Sequence, residues 1–144
     1  MSIVNARNAV IKKLEELVSS RVLGEVNDKQ FNIDVLKNQP EYYPSAWVSS
    51  PSFSNSEADN TANERDFVFI VTVITQDTDE ADFRENDVLK EVIANAFDTD
   101  FTLDGGVTYV NPVASSTEPL KTVNNSFFVF TLEITVRMLI DIVE

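Results

Sequence analysis

The C-terminal run 126–144 contains neither glycine nor proline and alternates between two kinds of side chain. Every even position from Phe128 to Ile140 is apolar, whereas the later odd positions are polar: Thr131, Glu133, Thr135 and Arg137. This period of two predicts a strand with one buried face. At about 3.3 Å per residue the strand would span roughly 50 Å. Because a domain of ordinary size needs no strand of that length, we expect it to bend or to reach a neighbouring subunit.

Composition predicts a single domain, residues 1–144, with a substantial apolar core. Of its 144 residues, 43% are hydrophobic and 10% are aromatic, which is enough apolar surface to stabilise a fold. The chain has no cysteine and no histidine. Disulfides, thiolate and imidazole metal sites, and Ser-His-Asp or Cys-His catalytic arrangements are therefore excluded.

The net charge of −13 is unevenly distributed along the chain. Residues 1–40 carry six basic and five acidic side chains, whereas residues 41–144 carry five basic and nineteen acidic ones. A strongly negative surface repels nucleic-acid phosphates, which disfavours sequence-specific DNA binding. The same charge is also typical of an acidic surface that is merely solvated.

The N-terminal residues 1–10 lack a basic leader followed by an apolar segment, and no stretch of eighteen apolar residues occurs. We therefore expect neither export by a signal peptide nor a membrane-spanning helix.

Residues 3–20 carry apolar side chains at helical spacing, among them Val10, Leu14 and Leu17, and Gly24 follows where the pattern stops. This periodicity predicts an amphipathic helix that packs on a sheet and ends before the glycine. Residues 42–48 then predict a first strand, with Trp47 as a core or interface anchor. Residues 25–41, between the two, are ambiguous.

Residues 49–64 are rich in serine, asparagine and alanine, with Phe53 as their large apolar side chain. We expect a long mobile loop that orders on assembly, with Phe53 docking on a partner. Residues 65–76 follow as a strand with two apolar faces, one of them containing Phe67 and Phe69. Such a strand is central in its sheet, with helices on one face and another layer or subunit on the other.

A second helix is predicted over residues 79–97, with acidic residues at its beginning. Residues 107–115 predict a third strand interrupted by Pro112, which marks either a sheet edge or a bulge. A polar connection leads from it into the long final strand as a hairpin. This order of elements predicts an α+β fold with a single mixed or antiparallel sheet of about four or five strands and two helices packed on it.

Two acidic stretches are the nearest approach to a chemical site. In residues 98–105, oxygen-bearing side chains alternate as calcium prefers, but the spacing lacks the glycine and glutamate of an EF-hand loop. The cluster Asp77, Asp79, Glu80 and Asp82 is best interpreted as a solvated helix start. With three glycines in the chain there is no phosphate-binding loop. We expect no catalytic residue, no cofactor and no metal, and hence no enzyme.

The layout resembles the tail-terminator and tail-completion proteins of long-tailed bacteriophages. The resemblance covers nearly the whole chain and lies in its plan: an N-terminal amphipathic helix, a strand at 43–48, the strand RDFVFIVTVI at 65–74, an acidic helix, and a terminal hairpin ending in FFVFTLEITVRM at 127–138. Patterns of apolar alternation carry it.

The resemblance implies a structural virion protein without catalytic activity. It implies a ring, usually of six copies, that caps the tail tube at the head-proximal end and presents a surface to the head-tail connector. The partners it implies are further copies of the chain, the tube protein and the connector protein, with genomic DNA passing through unbound and no membrane contact. The implied location is the virion, and the host cytoplasm during assembly.

For the ring that the resemblance implies, we assign two sets of candidate residues. Acids expected to face the channel are Asp77, Asp79, Glu80, Asp98, Asp100 and Asp104. Candidates for an interface are Phe53, Phe67, Phe69, Thr131, Glu133, Thr135 and Arg137, of which the last four are equally candidates for the channel wall. Two alternatives stay open: a head-completion or neck-adaptor ring, and an acidic inhibitor that mimics DNA.

Overall fold

The computed structural model describes residues 2–32, 42–57, 62–76, 83–100, 103, 107, 109–121 and 126–141. Over these residues the chain has an α+β fold, in which two helices cover one face of a single mixed sheet of seven strands. The elements follow in the order α1 (Ser2–Ser19), β1 (Glu25–Asn27), β2 (Ser45–Val48), β3 (Ser52–Glu57), β4 (Ala62–Gln76), α2 (Phe83–Thr99), β5 (Tyr109–Ala114), β6 (Glu118–Lys121) and β7 (Ser126–Asp141).

The sheet is built on the antiparallel pair β4 and β7, which run together over their whole length from Ala62 opposite Asp141 to Gln76 opposite Phe127. The strand order is β1-β2-β4-β7-β5, with β1 parallel to β2. Strand β3 continues the line of β2 along β4, and β6 continues the line of β5 along β7.

The main core lies between the sheet and the two helices. Helix α1 places a stripe of apolar side chains on the sheet, including the fully buried Ala6, Val10 and Leu14, and α2 buries Ile93 and Phe97. The strands contribute the side chains of one face, all fully buried or nearly so: Phe67, Phe69, Val71, Val73, Phe130, Leu132, Ile134 and Val136. The period of two in both strands therefore produces one continuous apolar layer.

Helix α1 ends by a route that differs from the predicted glycine exit. Arg21, and not Gly24, adopts the left-handed conformation that terminates the helix, with φ 66°. Gly24 is needed for another reason, because a Cβ there would lie 2.7 Å from the carbonyl oxygen of Tyr43. The absent side chain lets the chain entering β1 approach the start of β2, where the Gly24 amide donates to the Pro44 carbonyl at 2.8 Å.

The predicted sheet of about four or five strands is too small, because three short strands escaped the sequence patterns. The segment 49–64, predicted to be a loop, contains β3 and the first residues of β4. The polar connection before the last strand contains β6, and the ambiguous region contains β1. Strands β3 and β6 are polar and form because the long strands β4 and β7 offer them backbone partners, whereas β1 pairs with β2 at the edge of the sheet.

Candidate functional site

The sheet face opposite the helices is covered at one end and exposed in its middle. At the covered end Trp47, Ile74 and Phe127 form a second, smaller cluster, against which Phe31 and Tyr43 pack. The exposed part, which we call the open face, consists of neighbouring residues from β4, β5 and β7: Val68, Ile70, Thr72, Tyr109, Asn111, Val113, Thr131, Glu133, Thr135 and Arg137.

The open face combines apolar and polar side chains. Val113 is 56% exposed and Ile70 is 36% exposed, although strand residues of this type are usually buried. The exposed Glu133 lies between them, and the half-buried Thr131 is the next residue along the same face of β7. Ile70 stands opposite Glu133 in the β4–β7 ladder. The second apolar face predicted for β4 therefore exists, but in this chain it is buried only at Ile74.

Arg137 organises one end of the open face. Its Nε and Nη2 donate to the two carboxylate oxygens of Asp66 at 2.8 and 3.1 Å. Glu64 lies 3.8 Å from the guanidinium, and the ring of Tyr109 lies 5.4 Å from its central carbon. The hydrogen bonds from Arg137 hold the pKa of Asp66 below its usual value, against the opposing effect of burial. The same bonds, with the nearby negative charge, raise the pKa of Arg137.

The four candidates Thr131, Glu133, Thr135 and Arg137 all lie on the open face. Phe67 and Phe69 do not, and their assignment to an interface is wrong. Both have no exposed surface, because their side of β4 faces the helices. Alternation showed that β4 has two apolar faces but could not show which of them the helices cover.

Phe53 lies on β3 with 54% of its surface exposed. Its ring centroid is 5.8 Å from that of Phe67, and the guanidinium carbon of Arg65 lies 5.0 Å from it. Phe53 is thus fixed against the sheet on one side and accessible on the other. Phe53 lies on a strand and not on the predicted loop, and its contact with a partner stays a prediction.

Of the six acids expected to face a channel, four lie outside the described residues: Asp77, Asp79, Glu80 and Asp104. Asp98 is exposed near the end of α2. Asp100 is instead bound within the domain, where its carboxylate lies 3.2 Å from Nζ of Lys13 on α1. Burial acts to lower the pKa of Lys13, but the hydrogen bonds to Asp100 and Glu16 outweigh it and raise that pKa. Asp100 therefore joins the two helices.

Glu64, Asp66 and Tyr109 were missed as residues of this site. Asp66 and Tyr109 lie opposite Arg137 on the two neighbouring strands, and Glu64 lies diagonally across from it on β4. A cross-strand pairing of opposite charges is recognisable once the register is known. The sequence alone does not determine the register of β4 against β7, so it could not indicate that Arg137 pairs with these residues.

A cavity of about 310 Å³ with a mixed polar and apolar lining lies between the end of the sheet and α2, and its lining includes Tyr43, Thr75, Asn86 and Leu89. Thr75 donates to the buried side-chain oxygen of Asn86 at 2.8 Å. This bond accounts for a polar side chain in the helix–sheet layer. Among the described residues, no group of three acidic side chains is placed to hold a metal ion. No helix within those residues has the length and apolarity to cross a membrane.

Comparison with known proteins leaves the chain without a family assignment. No protein-family model matches it, and no curated protein sequence is similar to it. Its function must therefore be argued from the open face and the surfaces around it.

Proposed function

We propose that this chain is a structural subunit of a long-tailed bacteriophage, a tail terminator that forms a ring, of six copies in the expected arrangement, on the last ring of the tail tube. In this role it binds further copies of itself, the tube protein and the head-tail connector. Its chemistry is that of contact surfaces, with no catalytic step and no cofactor.

The open face is the observation that carries this proposal. The single two-layer domain leaves Ile70 and Val113 exposed to solvent on its sheet, beside threonines and Glu133. Such exposed apolar strand residues indicate a contact surface. In a ring, such a face either meets a neighbour or lines a channel. Its mixture of hydroxyl and carboxylate groups suits the channel wall, where phosphates slide past without the attraction that basic residues would provide.

The extended part of the sheet supports the proposal independently. Strand β3, the first part of β4 and the last part of β7 pair alongside one another. Exposed apolar side chains occur on both faces of this extension, with Phe53 on one and Leu139, 58% exposed, on the other. A strand extension with apolar groups on both faces is suited to contact the tube or the connector.

Electron microscopy of the purified protein, alone and mixed with purified tail tubes, tests the proposal. We expect rings with a central opening, either free in solution or bound at one end of each tube. Labelled protein should be found at the head-proximal end of tails. Labelling confined to heads that lack tails would replace the tail terminator with a neck adaptor. A protein that forms no rings and binds neither tubes nor heads would reject a virion role.

A further inference from the structure

A groove opens at the N-terminal end of α1. It has a volume of about 400 Å³, and its walls come from α1, the turn after β1 and the junction of β2 with β3. Its lining includes Ile3, Val4, Arg7, Lys29, Ser50 and Pro51. Val4 is 49% exposed, so the groove presents apolar surface to solvent. We call this the α1 groove.

The basic groups of the α1 groove are held in place by the fold. The Arg7 guanidinium donates to the carbonyl of Ser49 at 2.7 Å and to that of Val48 at 3.0 Å. Asp28 pairs with the same guanidinium and offsets its charge. Nζ of Lys29 lies 5.4 Å from the centroid of the Trp47 ring. The groove is therefore an apolar trough with a positive rim at Lys29.

Helix α2 carries a surface of matching character on its outer side. Val88 is 52% exposed and Val92 is 40% exposed, and their spacing of four places them on one side of the helix. Each valine directly follows an exposed acidic residue, Asp87 or Glu91. We call these four residues the valine stripe. It is apolar along its centre, and Glu91 places a negative charge beside it, whereas Asp87 pairs with Lys90 at 3.5 Å.

The α1 groove and the valine stripe lie on helices that pack toward opposite edges of the sheet. Helix α1 packs mainly beside β1, whereas α2 packs mainly on β5. These two strands are the opposite ends of the strand order β1-β2-β4-β7-β5. Two different surfaces that fit each other join copies head to tail, which produces a closed ring or an open filament.

We propose that the valine stripe of one copy docks in the α1 groove of the next copy. The two valines cover the apolar trough formed by Ile3 and Val4, and Glu91 faces Lys29. An apolar helix face in a groove with a complementary charged rim is a recurrent mode of recognition. The inference deepens the proposed function, on which closure into a ring rests, by naming the contact between subunits. It leaves the open face free to line the channel.

Charge exchange tests the contact. Lys29→Glu and Glu91→Lys should each weaken self-association by about tenfold or more, because an attraction becomes a repulsion. The double variant Lys29→Glu/Glu91→Lys should recover association. An equimolar mixture of the two single variants should recover it as well. In the mixture the altered groove of one variant meets the altered stripe of the other, and the two unaltered surfaces also fit each other. Ser19→Lys, at an exposed position at the opposite end of α1 from the groove, is the control. Sedimentation velocity measures all five samples.

Cysteine cross-linking extends the test to weak association, because the chain contains no cysteine of its own. Oxidation of the double variant Val4→Cys/Val88→Cys should give a ladder of covalent multimers. A mixture of the two single-cysteine variants should give dimers that contain one copy of each. Circular dichroism of each variant checks that the domain is folded.

The outcomes separate this contact from the proposed function. Rings that persist in both charge-reversed single variants, or multimers without the Val4–Val88 cross-link, would overturn the contact and leave the tail terminator proposal standing. A head-to-tail ladder from a protein that binds neither tubes nor heads would support the contact and reject the virion role. A folded protein that gives no ladder overturns the contact.

Discussion

Arg137 and Asp66 make the stability of the domain depend on acid pH in a defined direction. Asp66 has a lowered pKa because Arg137 donates two hydrogen bonds to its carboxylate. The contribution of this pair to the free energy of unfolding is complete above the usual carboxyl pKa of 3.8. It is lost as the pH falls through the lower pKa of the folded state.

Urea unfolding of the wild type and of Asp66→Asn, measured between neutral and strongly acid pH, checks this dependence. The variant should be less stable at neutral pH, and the difference should shrink as the wild-type carboxyl becomes protonated. Asp98→Asn, at the exposed end of α2, is the matched loss of one carboxylate. If the difference between Asp66→Asn and the wild type is the same at every pH, the pair does not carry the dependence.

Two serines hold the edge strands where their pairing is interrupted. Ser49 donates its amide to the Ile70 carbonyl, and its hydroxyl oxygen accepts from the Ile70 amide, at 3.0 Å each. Ser115 makes the same pair of bonds to Thr131, at 2.8 and 2.9 Å. Each hydroxyl thus replaces a carbonyl of the ladder.

Ser49→Ala and Ser115→Ala should each reduce the free energy of unfolding by up to about 1 kcal/mol, because one strand amide loses its partner near the surface. Ser50→Ala, at an exposed neighbouring position, should change it by less than about 0.5 kcal/mol. Denaturant titration compares the three. Equal effects at positions 49 and 50 would show that the hydroxyl bond contributes nothing.

At the level of elements, sequence periodicity predicted the long elements and missed the short ones. The stripes of α1 and α2 and the alternation in β4 and β7 extend over enough residues to be specific. Strand β3 is SFSNSE and β6 is EPLK, and neither contains an alternating apolar pattern. Both are strands because β4 and β7 are long enough to give them a backbone partner. The length of β4 and β7 decides whether β3 and β6 form, and the sequences of the short strands do not indicate it.

The candidate site was predictable to a similar degree. The polar positions of β7 were recognisable as one face, and they form the open face with β4 and β5. The charges that surround Arg137 depend on the register of β4, which a single sequence does not reveal. The misassigned Phe67 and Phe69 depend on which face receives the helices, and two apolar faces look alike in sequence.

Arg7 connects α1 to the junction of β2 and β3 through the carbonyls of Val48 and Ser49. Lysine keeps the charge but cannot donate to two carbonyls in the plane of a guanidinium. Arg7→Lys should therefore reduce the free energy of unfolding by about 1 to 2 kcal/mol. Lys12→Arg, on the exposed side of α1, should be neutral. Thermal unfolding measures both, and an Arg7→Lys protein as stable as the wild type would contradict the connection.

Helix α2 places neighbouring residues in two different environments. Ile93 is fully buried against the sheet, whereas Val92 is 40% exposed in the valine stripe. Ile93→Ala should reduce the free energy of unfolding by about 2 to 4 kcal/mol because it leaves a cavity. Val92→Ala should change it by less than about 1 kcal/mol. Sedimentation of the same pair should show the reverse order for self-association, and equal losses of stability would contradict this division.

At the scale of the whole molecule, the proposed ring gives different tasks to the two helices and to the open face. The α1 groove and the valine stripe are suited to hold neighbouring copies, and the open face remains exposed. With a net charge of −13 per copy, such a ring would surround its channel with negative potential. Passage of DNA through it would then depend on the open face carrying no excess of basic groups.

Thr131→Lys/Thr135→Lys places two positive charges on the open face while retaining the β4–β7 ladder. If the face lines the channel, the variant should still form rings and cap tubes, but it should retain DNA. Because bound lysines release counterions, that retention should fall steeply as salt rises. Ser19→Lys, at an exposed position at the end of α1 on the opposite face of the sheet, should not retain DNA within the ring. Electron microscopy measures ring formation and tube capping, and a salt-titrated DNA-binding assay measures the retention of DNA. Failure of the double-lysine variant to form rings would instead assign the open face to a contact between subunits.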